Sequence, residues 1–218
     1  MGFPVTVIPF SHALRERTWT SHGQSEGATF MHDLMSGKGT REDYIALVVQ
    51  HYFIYEALEE AADAMAGDEI AGRFITPQLT RMPALQADLE FLLGEDWRSV
   101  SAPLPTTTRY VHRIKAVADW SGGFIAHHYT RYLGDLSGGQ HISKIMQKRF
   151  GFDTNGIGFY LFDQIADPKD FKDTYREQLD AVAWDDAERE RVIDEVLTAY
   201  RLNTELFQDL SAAKAAAA

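Results

Sequence analysis

Tyr129-Thr130-Arg131-Tyr132-Leu133-Gly134-Asp135-Leu136-Ser137-Gly138-Gly139-Gln140 decides how this chain is read. Residues at helical spacing flank the glycines, with His127, Tyr132 and Leu133 before them and Ile142, Ile145 and Met146 after. Yet the segment carries Gly134, Gly138 and Gly139. Each interior glycine costs a helix roughly 0.5–1 kcal/mol relative to alanine. Three forfeit on the order of 2–3 kcal/mol, a sizeable share of the ~5–15 kcal/mol that holds a domain folded. Two causes fit. Gly134 and Gly138 share a helix face, as do Asp135 and Gly139, so a second helix packs closely there. Alternatively, a flat ligand lies on bare backbone with the Asp135 carboxylate beside it. An acid among three glycines favours the ligand.

Working outward, almost every segment reads as helix. Ser11 is placed to cap a first helix bearing Leu14, Trp19 and His22, with Gly23 and Gly27 loosening the chain after it. Phe30, Met31, Leu34 and Met35 continue an apolar face until Gly37 and Gly39. Thr40 and Asp43 have the form of a capping box for a helix running to about Met65. Further helices are expected between Pro77 and Gly94, from about Thr106 to Asp119, from Gly123 to Phe150, and from Pro168 to near Leu179. Gly151 to Phe162 is aromatic and irregular, with extended backbone an option. Trp184, Asp185 and Glu188 read as a staple and capping box for a long last helix. Its inward side carries Val192, Val196, Ala199, Tyr200, Asn203, Leu206 and Phe207. The class is all-α, a single-domain multi-helix bundle with one glycine-interrupted helix. Residues 1–10 read as an N-terminal extension, 11–210 as the helical domain, and 211–218 as a flexible alanine-rich tail.

Composition narrows the function. At 218 residues and 45% hydrophobic, the chain can bury one full core. It has no cysteine, which excludes disulfides, zinc–thiolate sites, iron–sulfur ligation and thiol nucleophiles. That absence fits a reducing interior, and a cytoplasmic location is expected. A formal net charge of -11 argues against nucleic acid as the main partner. No run approaches the ~18 apolar residues of a membrane span, so no membrane anchor is expected. Met1 to Phe10 is short, interrupted by Pro4 and Pro9, and does not read as a signal peptide. Met1-Gly2 with Thr6 formally meets a short myristoylation pattern.

Chemistry-bearing residues fall into groups. His22 has Glu26 four positions on, so a helical turn would set a carboxylate beside the imidazole, to orient it when one ring nitrogen binds a metal. His127, His128 and His51 are rivals. Lys172 and Arg176 share a helix face, and Arg15 precedes His22 by about two turns. Cations so grouped in an acidic protein suit ligand carboxylates, or else line a solvated face. Lys144, Lys148 and Arg149 form a second basic patch. Tyr55, Arg131 and Asp135 suit a buried polar network, although core packing explains Tyr55 nearly as well.

Together these pieces resemble the heme oxygenase family in its bacterial soluble form. Arg131 to Gln140 resembles the family's distal-helix motif over its whole length. His22-Gly-Gln-Ser-Glu26, followed by Phe30-Met31, resembles the proximal histidine segment. Tyr55-Glu-Ala-Leu-Glu59, Phe171 to Arg176 and Asn203 to Phe207 fall in the family's order. The resemblance implies His22 as the axial iron ligand of heme b, with Glu26 on its distant nitrogen. It implies Gly134, Gly138 and Gly139 against the heme face, and Asp135 organising distal water, backed by Tyr55 and Arg131. Arg15, Lys172 and Arg176 would pair with the propionates, Tyr129 would lie nearby, and Met31 and Phe207 would touch the ring.

Two positions depart from the pattern. Trp19 stands where some relatives carry a basic residue, and Tyr200 where some carry phenylalanine. The implied reaction is cleavage of heme by O2 at a meso carbon, α being expected, to biliverdin, carbon monoxide and ferrous iron. Heme is then both substrate and cofactor. Electrons would come from an external ferredoxin or flavodoxin with its reductase, docking at Lys144, Lys148 and Arg149. A monomer is expected, with iron acquisition among its uses. A heme carrier would use the same histidine. A thiaminase-like helical enzyme lacks its usual nucleophile here, and a ferritin-like bundle lacks its paired Glu-x-x-His motifs.

Overall fold

The computed structural model describes residues 8–217. The proposed extension at 1–10 and the Met1-Gly2-Thr6 pattern therefore lie mostly outside the described residues. The described residues form ten α-helices: α1 Phe10–Glu26, α2 Thr29–Ser36, α3 Arg41–Met65, α4 Met82–Leu93, α5 Trp97–Val100, α6 Pro105–Ala116, α7 Ser121–His128, α8 Gln140–Phe150, α9 Pro168–Asp180 and α10 Asp186–Ala217. Short 3-10 turns cover Ala71–Arg73, Pro77–Leu79 and Gly158–Tyr160. No strand occurs among the described residues, so the aromatic stretch closes as a turn and not as extended backbone.

Local chemistry explains most boundaries. Thr40 accepts from the Asp43 amide while the Asp43 carboxylate accepts from the Thr40 amide, so the capping box that opens α3 is complete. Asp185 accepts from the Glu188 amide at 2.8 Å, but the Glu188 carboxylate turns to Trp120 and Arg191, so α10 has half a box. α1 begins at Phe10 behind Pro9, two residues earlier than a Ser11 cap allows. Ser11 is used differently: its amide and hydroxyl donate to Asp180 at 2.6 and 2.8 Å, fixing α1 to the end of α9. Gly23 does not end α1, because the helix runs through to Glu26 and keeps His22 and Glu26 on one face. α10 continues to Ala217, and Lys214 pairs with Asp43 at 2.7 Å.

α10 is the spine, lying against α1, α2, α3, α6 and α7. α3 packs against α4, α6 and α7 on another side. Tyr44, Val48, Ile54, Tyr55 and Leu58 of α3 are almost fully buried in one continuous core with Val192, Val196 and Leu206 of α10. Gln50 is one of the buried polar residues of α3. Its amide donates to the Ala102 carbonyl and accepts from the Leu104 amide and the Thr107 hydroxyl.

The aromatic turn is pinned by a single carboxylate. Asp88, nearly fully buried on α4, accepts from the amides of Gly156, Gly158 and Phe159 at 2.8, 2.9 and 2.8 Å. Tyr44 donates to the Gly156 carbonyl at 2.6 Å. Removing Asp88 would orphan three amides at once. Asp88→Ala should destabilise the chain by about 2–3 kcal/mol. Chemical denaturation measures it, and an unchanged midpoint would mean the turn is held by other contacts.

Candidate active site

Between α7 and α8 the chain never leaves helix, but it widens. Tyr129–Leu133 and Asp135–Gly139 are two successive π turns. In π geometry the amide reaches back five residues instead of four, and such turns concentrate at functional sites. The carbonyls they displace are bonded by side chains. Thr130 donates to the Ala126 carbonyl and Ser137 to Leu133, each at 2.8 Å. Gln140 reaches the Asp135 carbonyl at 3.4 Å and Tyr160 at 2.7 Å, and Lys172 reaches Leu136 at 3.2 Å.

Two adjoining cavities, of about 180 and 330 Å³, separate this segment from α1. They share His22, Glu26, Gly134, Gly138 and Tyr200 as walls. The first is mostly apolar and runs inward past Met31 and Phe207 to Arg131, Asp135, Gly139, His51 and Tyr160. The second opens outward beneath Arg15, Trp19, Tyr129, Lys172 and Arg176. Every residue singled out in the sequence for a heme site borders one of these cavities except Tyr55, which stands behind Asp135.

The glycines divide. A Cβ on Gly134 would meet nothing within 4 Å, and one on Gly138 only Glu26 Oε1 at 3.8 Å. These two present bare backbone to the slot. A Cβ on Gly139 would stand 2.9 Å from the Tyr160 ring, so close packing of protein on protein accounts for that glycine. Packing therefore accounts for Gly139, whereas open space lies beside Gly134 and Gly138.

His22 is partly exposed at the slot. Its Nε2 lies 3.4 Å from Glu26 Oε1, its ring stacks on Trp19 at 5.6 Å, and Tyr200 meets it edge-on at 5.6 Å. In this rotamer Glu26 occupies Nε2 and leaves Nδ1 without an acid; a half-turn of the ring exchanges the two. No three His, Asp or Glu side chains converge on a metal site among the described residues. One imidazole is what an iron already held by a porphyrin requires.

Two rival histidines belong to the core. His127 Nε2 lies 2.8 Å from Glu195, and Arg113 also bonds that carboxylate. Burial pushes Glu195 up, yet His127 and Arg113 prevail and hold it at about 2. His128 Nδ1 lies 3.0 Å from the Tyr175 hydroxyl, and burial lowers it to about 3. The third rival, His51, does border the inner cavity.

Asp135 is buried on the first residue of the second π turn. Tyr55 donates its hydroxyl to Asp135 Oδ2. Arg131 stacks over the Tyr55 ring at 4.9 Å and donates to Asn203 at 2.9 Å. Among the described residues Arg131 makes no hydrogen bond to Asp135 itself, so the expected network is a chain through Tyr55. Burial pushes the Asp135 carboxyl up to about 6, against the pull of Arg131 and the Tyr55 hydroxyl.

The three expected cations gather at the outer mouth. Arg15 is exposed above Trp19, and Arg176 bonds Asp173 at 2.8 Å. Lys172 donates to Ser137 at 2.8 Å; burial and then the Arg176 charge hold its ammonium below the usual lysine value. A group of cations that lowers its own lysine favours an incoming anion. In the other basic patch Lys144, Lys148 and Arg149 are all exposed, and Arg149 also donates to the Gly39 carbonyl at 2.7 Å. Nothing in the sequence marks Tyr160, an aromatic residue in an aromatic stretch. Asn203, read from the sequence only as an inward residue of the last helix, bonds Arg131 and lines the inner cavity.

Two predictions follow from this geometry. Asp135 binds its proton more tightly folded than unfolded, so wild-type stability declines as pH rises through about 6. Asp135→Asn removes that decline, and its stability relative to wild type should improve by about 2–3 kcal/mol between pH 4 and pH 8, read by denaturation at both. Gly134→Ala should stabilise the unliganded chain by about 0.5–1 kcal/mol while weakening hemin binding. Unchanged hemin affinity would show that the ligand does not touch Gly134.

Residues 8–209 match the family profile described as heme oxygenase. Heme oxygenase 1 of the orangutan Pongo abelii is 40% identical over 204 residues, covering 92% of this chain and 71% of the relative. Heme oxygenase 1 of the cyanobacterium Synechocystis is 37% identical over 204 residues, covering 93% and 85%. The crystal structure of heme oxygenase-1 from Synechocystis in complex with heme superposes with a TM-score of 0.90 at 35% identity, over 96% of each chain. A similar fit, TM-score 0.90 at 33% identity, is found with Synechocystis heme oxygenase-2 in complex with heme and NO, over 96% of this chain and 88% of that one. The chain belongs to the heme oxygenase family.

Proposed function

We propose that the chain binds heme in the slot between His22 and the π turns and cleaves it with O2 to biliverdin, carbon monoxide and iron. The observation that carries this is the pairing across one slot of a single exposed imidazole with two glycines whose Cβ positions open on that slot. The residues fit the group. The inner cavity is apolar enough for a porphyrin ring, and the outer mouth supplies Arg15, Lys172 and Arg176 for two propionates. Heme, when bound, supplies the iron that activates dioxygen and is itself the molecule cut.

The protein's own groups divide the remaining work. His22 would hold the iron through one ring nitrogen, and Glu26 would orient the ring by accepting the N–H of the other. Gly134 and Gly138 leave the distal space without side chains. Asp135 holds the acid function. Tyr55 occupies Oδ2, so Oδ1 is the oxygen left to exchange protons with the cavity. A carboxyl pushed up to about 6 keeps a protonated fraction close to neutral pH that an ordinary aspartate lacks, which suits a mild proton donor. Electrons come from an external carrier, and the exposed Lys144 and Lys148 favour an acidic one. A carrier protein that only stores heme would need no buried acid beside the glycines, and this favours the enzyme.

Hemin titration followed by ascorbate in air tests the reading. Wild type should show a Soret band that bleaches to a green bilin with iron released. His22→Ala should lose the histidine-ligated spectrum. Asp135→Ala should keep the band and lose about 10²–10⁴-fold in bilin formation. A stable band in wild type under reductant and air would make the chain a carrier.

A further inference from the structure

The inner cavity carries three polar atoms that nothing in the protein satisfies. His51 Nδ1, the Tyr160 hydroxyl and Arg131 Nε are buried without a hydrogen-bond partner, and all three residues border that cavity. A buried unpaired group costs about 1–3 kcal/mol, so three on one cavity wall make a case for a molecule that bonds them. At about 180 Å³, the cavity has room for ordered water.

Their chemistry is complementary. Burial keeps His51 neutral, so it presents one N–H donor and one acceptor nitrogen. The Tyr160 hydroxyl can donate or accept, and Arg131 only donates. Their positions are fixed by packing. The His51 ring lies 5.0 Å from Phe159, 6.2 Å from Tyr55 and 6.5 Å from Tyr160. Tyr160 rests on Gly139, and Gln140 bonds its carbonyl while also reaching the Asp135 carbonyl. α3, the second π turn and the aromatic turn thus converge on one polar corner.

We propose that His51 and Tyr160 hold an ordered water in this corner, making His51 a positioning residue for Asp135. The cradle is a property of the unliganded chain; its effect on turnover rests on the heme reading. The water bonds the His51 nitrogen and the Tyr160 hydroxyl and supports the solvent that Asp135 uses. A methyl-bearing side chain at position 51 would remove one of its anchors.

The first measurement uses unliganded, histidine-labelled protein. Nuclear magnetic resonance should show transfer of magnetisation from water to the His51 ring. Tyr160→Phe should reduce that signal, which also serves should His51→Leu fail to fold. His51→Leu should lower the melting temperature, and His51→Gln should restore it in part. No water signal in wild type, together with a more stable His51→Leu, would mean a dry corner and overturn the proposal. The second measurement loads hemin. His51→Leu should bind it as wild type does, shift the infrared band of the carbon monoxide adduct, and slow bilin formation, with His51→Gln recovering part of each. An unmoved band and an unchanged rate would remove His51 from the positioning role. Failure of wild type to bind hemin would sink the functional reading alone, because the water signal is read without it.

Discussion

When a helix widens to π geometry over two successive turns, each amide reaches back five residues instead of four, and side-chain donors can brace the carbonyls of the widened segment. This chain supplies those donors from its own side chains. Ser137 covers Leu133, Gln140 covers Asp135, and Lys172 comes from α9 to cover Leu136. The widened segment is thereby stable without packing side chains against α1. That leaves the slot open between His22 and Gly134, and the rest of the site is arranged around it.

Lys172 joins two functions in this arrangement. Its ammonium helps hold the second π turn through Leu136 and Ser137, and it borders the cationic mouth beside Arg176. An anion at the mouth would compete for the same charge. Lys172 therefore touches the outer cavity and the glycine segment at once.

Much of this was legible in the sequence, for definable reasons. The helix order followed from apolar spacing and from caps such as Thr40 with Asp43. The slot residues followed from the glycine run and the His22–Glu26 spacing. What stayed hidden depended on partners distant in sequence. Ser11 looked like a cap because capping residues are recognised by their neighbours, whereas its actual partner is Asp180. Gly23 looked like a break, yet α1 continues through it because the helix is held by α10 and α9. Gly139 resembled its neighbours until Tyr160 was seen against it, and nothing local marks Tyr160. The π turns themselves have no sequence rule, since they reflect how the carbonyls of one segment find donors elsewhere.

Asp135 shows why the acid could be named but not its strength. Its carboxyl lies high because it is buried, and it is kept from rising further by a hydroxyl from α3 and a guanidinium one turn back on its own helix. That guanidinium is steadied in turn by Asn203 of α10. Three helices therefore set one proton affinity. A change in the packing of α3 against α10 would move it as surely as a change at position 135. The distal acid is a property of the bundle, which explains why Tyr55, Arg131 and Asn203 belong to the site although Tyr55 does not face the slot.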